Sequence, residues 1–387
     1  MHNCYDDNFE AGKLMVALNK KINYIHAAEY YKNITWNGLD CEKIETIFHP
    51  QETENEYNIE DVILIHLKRK DKQAVKEAIE RLLSNPDVVY AEPDYLNELH
   101  IIPNDPLFRN LWGMERIQAP LAWNCTIGSH HVIVGVLDTG AESTHPDLRA
   151  NLLIPRENRF RDIRDLSGHG THVAGTVGAI GNNRIGVAGV CWRVGLAIFK
   201  IGNNSIDLAS AIAAIDFAAK NNVPILNNSW GGRQPSSILR FAIEQYNGLF
   251  IASAGNNGTN NDANPVYPAS YTANNIISVA AINPDNALAT FSNFGVKSVD
   301  IAAPGTGILS ANLRGSYSNM NGTSMAAPHV AGAAALLKAF RPRLTTRDIR
   351  NIILSTATRT PSLNGRVATG GVLNVKAMLE RVASVAI

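Results

Sequence analysis

Residues 321–332 read Asn-Gly-Thr-Ser-Met-Ala-Ala-Pro-His-Val-Ala-Gly, and Ala333, Ala334 and Ala335 follow directly. A stretch so rich in Ala and Gly reads as a helix with little side-chain volume, and such a helix suits a closely packed interior. Ser324 stands at its start. There, unpaired backbone N–H groups and the positive end of the helix dipole favour developing negative charge. Most serines before helices are simple N-caps. A serine that is to act as a nucleophile also needs a base within reach to take its proton.

Two other segments supply the missing parts. Residues 132–140, Val-Ile-Val-Gly-Val-Leu-Asp-Thr-Gly, form an apolar run that ends in a carboxylate and a turn. The run reads as a buried parallel strand with Asp138 at its carboxyl end, where open α/β sheets gather their functional groups. Residues 167–175, Ser-Gly-His-Gly-Thr-His-Val-Ala-Gly, open a second helix of small residues with His169 and His172 in its first turn. Two histidines could suggest zinc, but no glutamate lies between them and no third ligand is evident.

Together the order is Asp138, His169, Ser324, the chain order known for subtilisins. The segments Val-Gly-Val-Leu-Asp-Thr-Gly, Ser-Gly-His-Gly-Thr-His-Val-Ala-Gly-Thr and Asn-Gly-Thr-Ser-Met-Ala-Ala-Pro-His-Val-Ala-Gly resemble the three signatures of the subtilisin-like serine proteases. The likeness runs from about Pro103 to the C-terminus. Asn104-Asp105-Pro106 with Ile117–Trp123 is most similar to the thermitase branch. The resemblance implies that Ser324 attacks the scissile carbonyl, His169 is the base and Asp138 orients it, with His172 a structural neighbour. It implies that Asn256, in Ala254-Gly255-Asn256, stabilises the oxyanion together with the Ser324 N–H. The complete set argues against a catalytically silent binding protein on this fold.

The same resemblance assigns substrate contacts and a metal. Ser229-Trp230-Gly231 would pair with extended substrate and form one wall of the S1 pocket, and Ser253-Ala254-Gly255 the other. Val266 would floor that pocket and leave it shallow and apolar. Residues 204–207 would add a second substrate-binding strand. Structural Ca2+ would be held by Asp105, Asp147 and Asn183, with carbonyls of Gly181, Ile185 and Val187. Arg184 is a departure from the loop pattern and is expected to face solvent.

Residues 1–100 differ from the rest. They carry 11 Lys+Arg and 19 Asp+Glu against 24 and 16 beyond, so net charges of −8 and +8 cancel in a neutral chain. Such parts attract. Strands near 13–18, 44–49, 62–67 and 88–94 and helices near 25–36 and 72–83 give a β-α-β-β-α-β, ferredoxin-like order. Val88–Tyr95 resembles the end of the family's inhibitory propeptide. That implies a zymogen in which residues 1–100 act as an intramolecular inhibitor of residues 101–387 and are removed by autocatalytic cleavage near His100–Ile101. The expected fold is α/β: a mainly parallel, seven-stranded-type sheet with helices on both faces, behind a small α+β prodomain. A helix near 346–355 and the segment 373–382 should close the C-terminal side.

The remaining expectations are brief. Partners are protein or peptide substrates, with no nucleic acid and no membrane, for a monomer. No run reaches transmembrane length, and the first residues lack the charge and apolar run of a signal peptide. Family habit favours secretion; the missing signal and four cysteines without a disulfide framework favour the cytoplasm. Cys125 and Cys191 read as core residues. Substrates would be cut broadly after apolar residues, or, alternatively, the enzyme would be a maturation protease that removes leader segments from peptide precursors.

Overall fold

The computed structural model describes residues 9–19, 39–50, 58–95, 101–154 and 157–383. The chain divides into two compact units, Met1–Glu98 and Leu99–Ile387. The first contains β1 (Phe9–Leu18), β2 (Cys41–Phe48), β3 (Asp61–Leu67), α1 (Lys72–Leu82) and β4 (Val88–Tyr95). Its sheet runs β2-β3-β1-β4, and every neighbouring pair is antiparallel. In β3 the alternation of side chains buries Ile63, Ile65 and Leu67, as the two-residue period of a strand requires. Asp61 shares that buried face and is paired with His49. The stripe Ala74, Val75, Ala78, Ile79 and Leu82 buries α1, and the Asp71 carboxylate caps it by accepting from the Ala74 N–H at 2.7 Å. The helix expected at 25–36 falls outside the described residues.

The second unit runs α2 (Trp112–Arg116), α3 (Ala119–Ala122), β5 (Gly128–Asp138), β6 (Leu152–Leu153), α4 (His169–Gly178), β7 (Arg193–Lys200), α5 (Leu208–Lys220), β8 (Ile225–Asn228) and α6 (Ser237–Gln245). It continues with β9 (Leu249–Ser253), β10 (Ile276–Ile282), β11 (Ile301–Pro304), β12 (Ile308–Asn312), β13 (Ser316–Met320), α7 (Thr323–Phe340), α8 (Thr346–Ser355), β14 (Thr358–Arg359), β15 (Gly371–Val372) and α9 (Val375–Ala383). The large sheet runs β14-β15-β11-β10-β9-β8-β5-β7-β6 and is parallel except between β14 and β15. The fold is therefore α/β, as expected. In place of seven strands it has six longer ones widened by three of two residues each, too short to leave an apolar run in the sequence. Strands β8 to β11 are buried at every residue, the mark of a parallel sheet covered on both faces. Because β5, β8 and β9 are parallel neighbours, Asp138, Ser229 and Ser253 emerge along one edge.

Helix α7 lies against this sheet and against α4. All of its residues from Met325 to Leu337 are buried. Small residues permit that approach: a Cβ on Gly332 would meet Val190 Cβ at 2.6 Å and the Val177 carbonyl at 2.8 Å. The expected helix at 346–355 is α8, opened by a capping box between Thr345 and Asp348. The five termini of interest differ. Helices α5, α6 and α8 begin at Asp, Ser and Thr side-chain caps, whereas α4 and α7 begin after Gly168 and Gly322 with no side-chain cap. The first N–H groups of α4 and α7 are thus not consumed by their own caps. Among the described residues no helix is long and apolar enough to cross a membrane. Cys191 is buried as expected, and burial pushes its thiol up to about 12. Cys125 is exposed, contrary to expectation, because it lies in the turn after α3 rather than in the apolar strand that follows.

Two buried histidines make a prediction. Burial lowers both His172 and His329 to about 4 from an ordinary value of 6.5. A pKa depressed on folding gives stability that is present above 6.5 and lost as pH falls toward 4, because the unfolded chain binds the protons first. Each histidine should remove on the order of 3 kcal/mol across that interval. The urea midpoint should fall steadily from pH 6.5 to 4; a midpoint flat over that range would contradict this.

Candidate active site

Asp138, the last residue of β5, is buried, and His169 is the first residue of α4. His169 Nδ1 lies 2.7 Å from Asp138 Oδ1, which also accepts from the Thr139 N–H at 2.8 Å. Asp138 Oδ2 is buried without a hydrogen-bond partner among the described residues. The carboxylate charge is therefore only partly offset and favours a cationic imidazole. Burial alone would lower the His169 pKa, but the charge of Asp138, its hydrogen bond and the charge of Asp165 outweigh it. The group is raised above 6.5.

Ser324 enters the site at the second residue of α7. Its hydroxyl donates to the Ser229 carbonyl at 3.1 Å, and the Ser229 hydroxyl returns a bond of 2.8 Å to the Ser324 carbonyl. Pro328 explains the second bond. A proline has no N–H, so the carbonyl four residues earlier, that of Ser324, loses its helical partner. Ser229 fills the gap, itself held by Asn227 Nδ2 at 3.0 Å.

Asn256 follows β9 through Gly255, whose φ of +108° favours a residue without Cβ. The Asn256 amide oxygen accepts from the Thr323 N–H at 2.8 Å and the Thr323 hydroxyl at 2.9 Å, leaving its Nδ2 free to donate elsewhere. A methyl built on Gly322 would lie 3.4 Å from Asn256 Nδ2 and 3.5 Å from Ser324 N. The side-chain nitrogen of Asn256 and the backbone nitrogen of Ser324 are therefore close neighbours of one point at Gly322. Thr323 was not foreseen as a functional residue. Its signal was its place between a glycine cap and the serine.

Gly231, Gly255 and Val266 lie close together. A Cβ on Gly231 would stand 3.1 Å from Val266 Cγ1, and one on Gly255 would stand 3.5 Å from it. Val266 is buried, with its Cγ1 methyl near both glycines. Ser253 and Ala254 are buried on the same side, and Trp230 packs partly buried against the α5–α6 core. Residues 204–207 do not form the expected strand. A bridge between Gly202 and Ile206 closes a tight turn, and Asp207 caps α5. Too few residues separate β7 from α5 for more. Beside this turn a hollow of about 350 Å³ is lined by Asp138, His169, Asn204, Ile206 and Trp230, among others.

The expected metal ligands partly gather. Asp147 accepts from Asn183 Nδ2 at 2.8 Å, the Val187 N–H at 2.9 Å and the Tyr317 hydroxyl at 2.7 Å. Asp105 Oδ2 accepts from the Asn182 N–H at 2.6 Å, while its Oδ1 is buried and unpartnered. Burial, with the nearby Asp147 charge, raises the Asp105 carboxyl. Arg184 is exposed, as expected. No group of three or more metal-binding His, Cys, Asp or Glu residues occurs among the described residues. His100 lies outside the described residues, and Ile101 is exposed, its N–H donating to Asn124 Oδ1 at 3.1 Å.

Comparison with known proteins accords with this geometry. The sequence pattern of the subtilase family matches residues 129–374. Subtilisin Savinase from Lederbergia lenta is 39% identical over 274 residues, covering 69% of this chain and 97% of its own. Subtilisin E from Bacillus subtilis (strain 168) is 37% identical over 299 residues, covering 74% of each. Among solved structures, a protease from Pseudoalteromonas arctica PAMC 21717 superposes with a TM-score of 0.63 at 31% identity, covering 72% of this chain and 99% of that one.

Proposed function

The chain belongs to the subtilase family and is a subtilisin-like serine endopeptidase; from that premise we propose that Ser324, His169, Asp138 and Asn256 perform its chemistry. His169 Nε2 takes the hydroxyl proton as Ser324 Oγ attacks the scissile carbonyl carbon. The tetrahedral oxyanion lies between Asn256 Nδ2 and the Ser324 N–H. His169 then passes its proton to the departing amine, and water hydrolyses the acyl-enzyme by the same path in reverse. Asp138 keeps the proton on His169 Nδ1 and stabilises the cation. The observation that carries this reading is the Asp138–His169 bond, and Asn256 Nδ2 and the Ser324 nitrogen lying within 3.5 Å of one point beside Gly322 support it. Asn256→Ala should lower kcat by about 100- to 1,000-fold with KM little changed, the known cost of losing such a donor in a subtilisin. An unaltered kcat would remove Asn256 from the mechanism.

Val266 sets specificity in this reading. With its methyl between Gly231 and Gly255, the S1 slot admits small apolar side chains and has no acid to draw Arg or Lys. A closed slot also favours the narrower role of a maturation protease cutting leader segments at chosen sites. Val266→Gly should open the slot and move preference toward large apolar P1 residues, raising kcat/KM for a Phe substrate over an Ala substrate by about 10-fold or more. An unchanged ratio on a peptide panel would show that Val266 is loop packing only.

The acidic first unit is read as an inhibitory propeptide of ferredoxin-like design. Its support is the β2-β3-β1-β4 order and a charge opposite to that of the rest of the chain. Removal would occur near His100–Ile101. The residues around Asp105 fit a Ca2+ ion: two neighbouring buried carboxylates, one with an unpartnered oxygen, need a positive charge. Asp105, Asp147 and Asn183 would hold it, and its service would be to tie the start of the second unit to the 181–187 loop. Intact mass tests both ideas. Wild type should lose roughly its first hundred residues, faster and to a more stable product with calcium, while Ser324→Ala stays whole. Two intact proteins, with wild type still hydrolysing peptides, would make the first unit a permanent part of the enzyme.

A further inference from the structure

Asp165 belongs to none of the motifs described above, yet it is among the most heavily bonded side chains near the site. It is buried, at 5% exposure, in the segment that leads into α4. Its Oδ1 accepts from the Thr139 hydroxyl at 2.9 Å and from the N–H groups of Ser167 and Gly168, each at 3.0 Å, with the Ser167 hydroxyl at 3.3 Å. Its Oδ2 accepts from the Thr171 N–H at 2.9 Å and hydroxyl at 2.7 Å. The donors come from both sides of the catalytic pair. Thr139 follows Asp138 and donates its N–H to the Asp138 carboxylate, while Ser167, Gly168 and Thr171 flank His169. The Thr139 hydroxyl completes the link by accepting from the Gly170 N–H at 2.9 Å.

The packing leaves this linkage no slack. A Cβ on Gly170 would stand 2.2 Å from the Gly140 carbonyl and 3.2 Å from Asp138 Cβ. Gly168, at φ +85°, has Asn312 Oδ1 at 2.2 Å from where its Cβ would be. The turn before His169 and the turn after Asp138 are therefore pressed together, and the buried Asp165 carboxylate bonds to both.

We propose that Asp165 is a positioning residue for the peptidase reaction: it locks the Asp138 turn to the first turn of α4, fixing His169 against Asp138, and adds a second negative charge to the field on the imidazole. The inference rests on the reading of His169 as the base. The charged and titratable groups facing His169 are Asp138 from β5, Asp165 from the preceding loop and His172 from its own helix. His172 is neutral above about pH 4, so the two carboxylates set the field. Asp165 stays ionised despite its burial, because the donors from Thr171, Ser167 and Thr139 hold its pKa below the ordinary value. Burial and six donors exceed what an N-cap needs, since a capping carboxylate accepts from one or two N–H groups of its own helix.

The experiment compares Asp165→Asn, Thr139→Val, Thr139→Ser and His169→Ala in the whole chain. Rates are taken per active site titrated with a serine-directed phosphonate. Asparagine turns an NH2 toward groups that donate, so both the clamp and the charge are lost. Expected for Asp165→Asn is a fall in kcat of about 10- to 100-fold with KM little changed. The acid limb of kcat/KM should move to lower pH, because a neutral His169 then persists further into acid. Thr139→Val keeps the carboxylate but cuts the hydroxyl link. It should lower kcat without moving the acid limb, and Thr139→Ser should restore it. If Asp165→Asn reduces only the number of active sites, with kcat per site and acid limb as in wild type, the proposal falls. Should Asp165→Asn not fold, Thr139→Val decides, and a wild-type kcat there overturns the clamp. His169→Ala separates the two readings: activity surviving in it would undo the assignment of the base itself.

Discussion

Burial of α7 is the constraint on which the second unit depends. Thirteen consecutive residues, Met325 to Leu337, are buried, so the helix has no solvent face along that length and touches β5, β8, β9, β10, β11 and α4. A helix enclosed in this way can carry large side chains only where neighbours recede. Elsewhere it must be Ala or Gly. The same enclosure fixes the axis along which Ser324 is presented. Any shift of the nucleophile would have to move the centre of the core.

The chemistry then follows from where ordinary helix economy is suspended. Helices α4 and α7 start after glycines rather than at capping side chains, and the Ser324 nitrogen and Asn256 Nδ2 both lie within 3.5 Å of one point at Gly322. Pro328 frees a carbonyl in the same turn, and Ser229 takes it up. Ser229, which follows β8, is thereby bonded to Ser324 through two contacts of opposite sense. Thr323 does the corresponding service for Asn256. Each functional group is held by a neighbour whose own position the sheet determines, which is how preorganisation for a developing charge arises.

Much of this was legible in the sequence because the relevant signals are local. An apolar run ending in Asp138, glycines ahead of His169 and Ser324, and small residues behind both define strand ends and buried helices without reference to anything distant. The strands of the first unit were equally clear, since β3 alternates and α1 shows its buried stripe with Asp71 at its start. What escaped was set by tertiary partners. Nothing in the run from Asp165 to Ser167 announces that its carboxylate bonds across to Thr139. The two-residue strands β6, β14 and β15 owe their existence to the neighbours they extend rather than to their own residues. The second substrate strand was expected from family likeness, whereas chain length between β7 and α5 permits only a turn closed at Gly202 and Ile206. Cys125 is exposed because it sits in the turn after α3, ahead of the buried part of β5.

The bond from the Ser324 hydroxyl to the Ser229 carbonyl has a kinetic meaning. There the Ser324 hydroxyl donates to a main-chain oxygen rather than to the imidazole, so in its proposed role it would be a poor attacker until it turns. Arming it takes a rotation about one torsion between staggered wells, a motion of picoseconds to nanoseconds. That is far faster than a peptidase turns over. On the proposed roles, a serine held this way at rest would cost turnover no measurable time.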